Sequence, residues 1–261
     1  RRQRQMCIRD RADVIGCCDA ICASNPVEAE QLVAHYAAPP DRIELVPPGV
    51  DHAFFSPGSR RGARKGLGLD EAPTALFVGR IQPLKGLEVA VRAVAASTTP
   101  GLRLVVVGGA SGVEGPPELA RIEQLVAELG VADRVDFRPP QPHHHLSSWY
   151  RAADVVLVPS RSESFGLVAL EAAACGVPVV AAAVGGLRSL VEDGRTGFLV
   201  EDRDPVEFAA RIDQLLASPE LAEQMGADAA RRAETFSWST TAGRLRRLYD
   251  DLKVRTLLEC R

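Results

Sequence analysis

No stretch of about 18 uninterrupted apolar residues occurs in this sequence, so no transmembrane helix is expected. A strong charge of either sign is missing as well. Lys and Arg number 31 against 34 Asp and Glu, a formal net charge of −3, which offers no surface for nucleic acid or another polyanion. The six cysteines, Cys7, Cys17, Cys18, Cys22, Cys175 and Cys260, include no CxxC pair. Four crowd the first 22 residues and two lie far away, which is neither a disulfide framework nor a zinc pattern. A reducing, cytoplasmic setting fits that usage. The basic opening RRQRQMCIRDR has no apolar run behind it, so no signal peptide is expected.

What is present is ordinary for a soluble globular chain: 46% hydrophobic and 25% charged residues. A length of 261 residues can bury one large core or two smaller ones. The first dozen residues match nothing that follows, and MCIRDR resembles a translated sequencing adapter. Residues 1–12 are therefore expected to be non-native or disordered. From residue 20 onward short apolar runs alternate with amphipathic stretches. Strands are expected over 20–24, 42–51, 74–80, 102–109, 134–139, 154–160, 177–182 and 197–200. Helices are expected over 26–36, 84–96, 118–130 and 145–152, and after each of the last three strands. Several strands are apolar on consecutive positions, as when helices cover both faces of a sheet. This alternation specifies an α/β fold with a doubly wound parallel sheet. Residues 55–72, rich in Gly, Pro and basic residues, read as an interdomain linker with one short helix.

In open α/β sheets ligands bind beyond the carboxyl ends of the strands. The polar residues there are Arg80 and Lys85, residues 108–112, 138–141 and 160–166, and Gly185 with Gly186. GRIQPLKG (79–86) sets two cations five residues apart around a proline turn. They read either as exposed loop charges or as a clamp for a diphosphate, with Gly79 permitting close backbone approach. Their place on the rim favours the clamp. VVVGGASG (105–112) fails as a dinucleotide fingerprint, because the spacing is not GxGxxG, Pro116 and Pro117 intervene before the next helix, and no acid follows about 20 residues on. Its glycines, Gly108 among them, still suit backbone close to a ligand. His143, His144 and His145 are adjacent and cannot all face one metal, so they read as a solvated loop entering a helix. Cys175, near a helix end with Gly176 as the C′ residue, reads as a small buried thiol. Ser162 and Ser164 lack the preceding glycine of a nucleophile elbow, which leaves hydrolase chemistry unsupported.

SESFGLVALEAAACG (162–176) carries Glu163 and Glu171, eight positions apart. Ser162 and Glu163 can be read as a helix cap, with Glu171 facing solvent. The alternative is a ligand site. A helix starting near 164–166 leaves the amides of Phe165, Gly166, Leu167 and Val168 unpaired and aimed at the rim that holds Arg80 and Lys85. A diphosphate would then lie between Glu163, on the hydroxyls of a sugar, and Glu171, about 12 Å along the axis, on those of a ribose.

Taken together, Glu163…Glu171, GRIQPLKG, RAADVVLVPSRSESFG and GVPVVAAAVGGLRSLVEDGRTGFLV resemble the retaining glycosyltransferases of family 4, which have the GT-B architecture. The resemblance covers about residues 20–249. Within it, GRIQPLKG, VVVGGASG and FRPPQP most resemble the D-inositol-3-phosphate glycosyltransferases of mycothiol biosynthesis. Those enzymes move N-acetylglucosamine from UDP-N-acetylglucosamine to 1D-myo-inositol 3-phosphate. The resemblance implies that Arg80, Lys85 and Glu163 are catalytic. The two cations would neutralise the leaving diphosphate, and Glu163 would hold the donor sugar. It implies donor-binding roles for Gly79, Gly108 and the backbone at Gln141, for the amides of Ser164, Phe165, Gly166, Leu167 and Val168, and for Glu171 at the ribose. A UDP-sugar is the expected donor substrate and no cofactor is required. Magnesium, assigned in some relatives to the segment matching Tyr150, Arg151 and Ala153, is not expected to be catalytic, since two cations and a helix N-terminus can stabilise the developing charge. Retention in the family is described as front-face attack, with the leaving phosphate helping to deprotonate the acceptor. A family 4 enzyme using GDP-mannose or UDP-glucose with a lipid or polysaccharide acceptor stays open. So does a non-catalytic nucleotide-binding module, and so does a homodimer.

A GT-B enzyme has two Rossmann-like domains facing a cleft, and this sequence carries essentially one. Residues 13–54 match the remnant of the N-terminal acceptor domain, 55–72 the linker, 73–237 the C-terminal nucleotide-sugar-binding domain, and 238–261 the helix that crosses back. The small polyol phosphate acceptor would bind through the missing half, which supplies a glycine-rich loop and a histidine. The chain by itself is therefore expected to bind a nucleotide sugar weakly and to transfer it poorly.

Overall fold

A computed structural model of the chain describes residues 12–254. The expectation for residues 1–11 and for the end of the 238–261 segment lies outside the described residues. Two compact units form: the chain up to Gly49 together with the chain from Phe236, and Val50–Thr235.

In the first unit residues 12–16 are helical, and β1 (Ile21–Ala23) crosses through α1 (Pro26–Tyr36) to a parallel β2 (Ile43–Leu45). Asn25 caps α1 by accepting the Glu28 amide at 3.0 Å, and the Glu28 carboxylate returns to the Ser24 amide at 2.7 Å. The first bond satisfies a first-turn donor that the helix cannot, and the second satisfies the amide just ahead of the cap. The final helix, Trp238–Val254, belongs to this unit. Its Thr241 hydroxyl donates to the Pro47 carbonyl at 2.7 Å, and its Arg244 to the Leu45 carbonyl at 2.8 Å.

The second unit holds α2 (Arg60–Leu67), β3 (Thr74–Val78), α3 (Leu87–Ala96), β4 (Arg103–Val107), α4 (Gly115–Glu128), β5 (Val135–Arg138) and α5 (Leu146–Ala152). It continues with β6 (Val155–Val158), α6 (Leu167–Ala174), β7 (Val179–Ala182), α7 (Leu187–Leu190), β8 (Gly197–Val200), α8 (Pro205–Ala217) and α9 (Pro219–Ala233). The six strands are all parallel, in the order β5-β4-β3-β6-β7-β8. Strands β3, β6 and β7 are buried at every residue, which is why they read as unbroken apolar runs. Phe77, Leu104, Leu157 and Val180 pack with Leu87 and Val91 of α3 and Phe208 of α8 in one core. The doubly wound parallel sheet is as expected. The strand order reverses between β3 and β6, which opens a crevice above their carboxyl ends.

Residues 55–72 are not a tether between units, since they fall inside Val50–Thr235. The Arg64 side chain of α2, 4% exposed, donates to the Ala152 carbonyl at 2.9 Å and to Asp154 at 2.6 Å. Asp154 also accepts from Arg60 at 2.8 Å and from the Thr74 amide at 2.7 Å. A basic, glycine-rich composition looked solvated, but one arginine is buried by a carboxylate far away in sequence. Pro116 and Pro117 also depart from expectation, because they sit in the first turn of α4 rather than ahead of it. That turn has no intrahelical partner for its amides, so proline costs nothing there.

Candidate functional site

The crevice between β3 and β6 places two loops side by side, with Ala75 opposite Val155 in register. The loop after β3 carries Gly79, Arg80 and Lys85, and that after β6 carries Ser160 to Gly166. The Arg161 amide donates to the Leu84 carbonyl at 2.8 Å and ties the loops together. Across that tie Lys85 Nζ stands 2.8 Å from Glu163 Oε2, with side chains 23% and 18% exposed. The Ser160 hydroxyl, almost fully buried, lies 3.4 Å from the same oxygen. Arg80 is exposed and forms no ion pair among the described residues. The structure thus brings Lys85 to Glu163 and leaves Arg80 outside the pair. Further positive charge stands on the same rim. Burial, followed by the nearby Arg161 charge, depresses the Arg203 guanidinium. Its Nη1 lies 3.6 Å from where a Cβ on Gly86 would stand.

The cap reading of Ser162 and Glu163 is not what forms. The residue ahead of α6 is Gly166, at φ 102°, and no side chain caps the helix. Its first intrahelical bond runs from the Leu170 amide to the Gly166 carbonyl at 3.0 Å. Leu167 and Val168 are therefore first-turn donors with no partner inside the helix. Ser164 and Phe165 precede α6, so their amides belong to the connecting loop. That loop is shaped from the far side by Gly186, whose amide donates to the Glu163 carbonyl at 2.9 Å. A Cβ on Gly186 would collide with the Ser164 carbonyl and the Phe165 backbone. Gly108 needs its freedom for a similar reason. It sits at φ 158°, and a Cβ there would collide with the Gly79 carbonyl. Its close approach is to the backbone just beyond the neighbouring strand β3. The Gln141 side chain turns to the Pro139 carbonyl at 2.9 Å, beyond β5 at the edge of the sheet.

Glu171 does not face solvent. It is 6% exposed, and each of its oxygens is engaged. Oε1 lies 2.7 Å from His143 Nε2, and Oε2 accepts the Tyr150 hydroxyl at 2.7 Å. Burial, then the Glu171 charge, pushes the Tyr150 hydroxyl well above the ordinary tyrosine range. The local sequence shows neither partner; His143 to His145 form the exposed turn entering α5 that the sequence suggests, and His143 reaches Glu171 from it. Tyr150 carried one usable signal: a tyrosine beside Trp149 and between apolar strands is apt to be buried, and a buried hydroxyl needs a partner. Cys175 is buried, and burial pushes its thiol up to about 12, so it is inert.

In the Tyr150–Ala153 segment the two polar side chains are already engaged. The tyrosine hydroxyl is spent on Glu171, and the Arg151 guanidinium donates to the carbonyls of Phe54 at 2.6 Å and Ser56 at 2.8 Å. Among the described residues no group of three His, Cys, Asp or Glu is placed to hold an ion, and no helix is long and apolar enough to cross a membrane.

The family of glycosyl transferases group 1 matches residues 59–232. The chain belongs to this family. This group 1 chain is 49% identical over 247 residues to the D-inositol 3-phosphate glycosyltransferase of Acidothermus cellulolyticus, covering 92% of the chain and 55% of that relative. It thus spans about half the length of the curated relatives it matches. Sucrose-phosphate synthase of Thermosynechococcus elongatus is similar in structure at a TM-score of 0.89 and 35% identity, over 97% of this chain and 63% of that one. HepE of Anabaena, in complex with UDP and glucose, shares the fold at a TM-score of 0.86 and 22% identity, over 96% and 68% of the two chains. Among group 1 enzymes the fold is that of the GT-B C-terminal domain, as the sequence resemblance implied.

Proposed function

We propose that this chain is the donor-binding portion of a retaining glycosyltransferase that moves N-acetylglucosamine from UDP-N-acetylglucosamine to 1D-myo-inositol 3-phosphate. The observation that carries this reading is the 49% identity, over 92% of the chain, to a relative of that name. The site is consistent with it, because Lys85 and Glu163 meet at the switch point of the sheet, where nucleotides bind in such folds. A protein of the same fold has been seen with UDP and glucose. The reaction draws on a cytoplasmic nucleotide sugar, in keeping with the cysteine usage.

Breaking the anomeric bond moves negative charge onto the diphosphate. Lys85 would turn from Glu163 to that charge, Arg80 would fold in from the exposed rim, and the first-turn amides of α6 would donate to the phosphate oxygens. Glu163, released from the ammonium, would accept hydroxyls of the sugar. Glu171 would accept those of the ribose. The acceptor would come through the part of the protein that its relatives have beyond this chain.

Titration calorimetry with UDP, GDP, UDP-N-acetylglucosamine and UDP-glucose tests the reading. UDP should bind about tenfold more tightly than GDP, a difference of ~1.4 kcal/mol, and UDP-N-acetylglucosamine more tightly than UDP-glucose. Equal or stronger binding of GDP would overturn the donor assignment. A preference for UDP-glucose would keep the nucleotide and replace the sugar.

A further inference from the structure

We propose that Tyr150 is a positioning residue that gives the site its preference for a ribonucleotide, by fixing the Glu171 carboxylate while His143 occupies the oxygen that a ribose hydroxyl will take. This rests on the reading that the donor ribose binds at Glu171.

The two partners of Glu171 differ in how firmly they are held. Tyr150 has no exposed surface. Its ring lies 6.0 Å from that of Phe55, which is equally buried. The turn that carries Phe55 is clamped to α5 by Arg151, through the carbonyls of Phe54 and Ser56. Arg64 fastens the end of the same helix at the Ala152 carbonyl. Tyr150 therefore cannot withdraw without disturbing its packing on Phe55 and the bonds that hold α5 in place. His143 is 67% exposed. It sits on a short 3-10 turn and touches Phe55 with a ring-to-ring distance of 5.0 Å. Its ring can swing into solvent at little cost.

A carboxylate has about four lone-pair sites on two oxygens. A pair of vicinal hydroxyls needs two of them at a fixed spacing, and a carboxylate free to rotate seldom presents it. The Tyr150 bond stops that rotation and still leaves Oε2 a second lone pair. Departure of His143 frees Oε1. Both ribose hydroxyls can then be accepted without rearrangement of the buried side, so the hydroxyls are bound by a group already in place.

The experiment compares UDP with 2′,3′-dideoxy-UDP on the full chain, by calorimetry, for the parent and for Tyr150→Phe and His143→Ala. The parent should bind UDP about tenfold or more tightly than the dideoxy form, because charge-assisted bonds to the diol are lost. In Tyr150→Phe that ratio should fall to about twofold or less, with dideoxy-UDP affinity unchanged. In His143→Ala, UDP binding should tighten by roughly two- to fivefold and dideoxy-UDP should not respond, since the competitor for Oε1 is gone. A Tyr150→Phe protein that keeps the full ratio, or loses affinity for both ligands alike, overturns the positioning role and leaves the donor assignment standing. If that variant does not fold, His143→Ala decides, and unchanged or weaker UDP binding overturns the proposal. A parent that binds UDP and its dideoxy form equally overturns instead the placement of the ribose at Glu171.

Discussion

Lys85→Ala and Glu163→Gln should move nucleotide affinity in opposite directions. Without ligand the ammonium is spent on the carboxylate, at 2.8 Å. Both side chains are part-buried, so an effective dielectric near 20 applies, and one unit of phosphate charge at about 4 Å gains ~4 kcal/mol gross. Binding must also part the lysine from Glu163 and strip water from the phosphate. The net value should approach that of a charge-assisted hydrogen bond, ~1.5–3 kcal/mol. Lys85→Ala should therefore weaken UDP binding by about 10- to 100-fold. Glu163→Gln keeps the shape, frees the ammonium and removes a negative charge from where the proposed site would hold the diphosphate. UDP should then bind roughly three- to tenfold more tightly, a gain of ~1 kcal/mol. The extra affinity of a UDP-sugar over UDP should shrink in the same variant. Titration calorimetry at low and high salt measures all three, and the lysine effect should fade as salt screens it. Unchanged affinity in Lys85→Ala, or a loss in Glu163→Gln as large as that of the lysine variant, would refute the pairing argument.

The remaining expectations concern stability. Asp154→Asn takes the nearer of two carboxylates from the buried Arg64, leaving the exposed Glu71 at 3.6 Å, and should cost ~3 kcal/mol in urea unfolding, and a loss under about 1 kcal/mol would contradict the buried-pair reading. Burial pushes the Asp213 carboxyl up, but hydrogen bonds from Ser97, Thr98 and Thr99 together outweigh it and hold the group down to about 2, below the ordinary 3.8. A lowered folded value means stability that is complete above about pH 3.8 and lost as pH falls toward 2. Asp213→Ala should thus cost ~1 kcal/mol at neutral pH, after discounting for solvent screening, with the gap closing in acid. A gap independent of pH would reject that account. Gly186→Ala should lower Tm, costing ~1–3 kcal/mol, and weaken UDP, since the new methyl displaces the loop bearing Glu163. Gly66→Ala in α2, where a Cβ meets nothing within 4 Å, should instead raise stability by ~0.5–1 kcal/mol.

The strands were readable because buried parallel strands are apolar at every position, and Gly or Pro breaks the pattern between them. The rim was readable for a different reason. A doubly wound sheet exposes its functional loops at one end, so the loops carrying Lys85 and Glu163 could be found before either side chain was placed. Their contact could not, because it depends on β6 lying next to β3, and neighbours across a sheet leave no spacing in the sequence. The partners of Glu171 were hidden likewise. Tyr150 and His143 reach it from another helix and a turn, and the local pattern of α6 alone is compatible with a glutamate facing water. Arg64 runs in the opposite sense, since composition counts an arginine as exposed and its burial comes from partners distant in sequence, Asp154 and the Ala152 carbonyl.

The pairing of β3 with β6 has a consequence for how the protein is made. Lys85 and Glu163 are 78 residues apart in sequence, and β4 and β5 lie between them in the chain. Closing a span of that length costs entropy that grows with the logarithm of its length, and such distant pairings form slowly. A chain emerging from the ribosome holds the ammonium long before the carboxylate, so the proposed nucleotide site would be incomplete until both are present. Ligand binding stabilises only states that contain the finished crevice. Nucleotide would therefore select fully assembled chains over partly folded ones, and a cell rich in the donor would favour completion of the sheet.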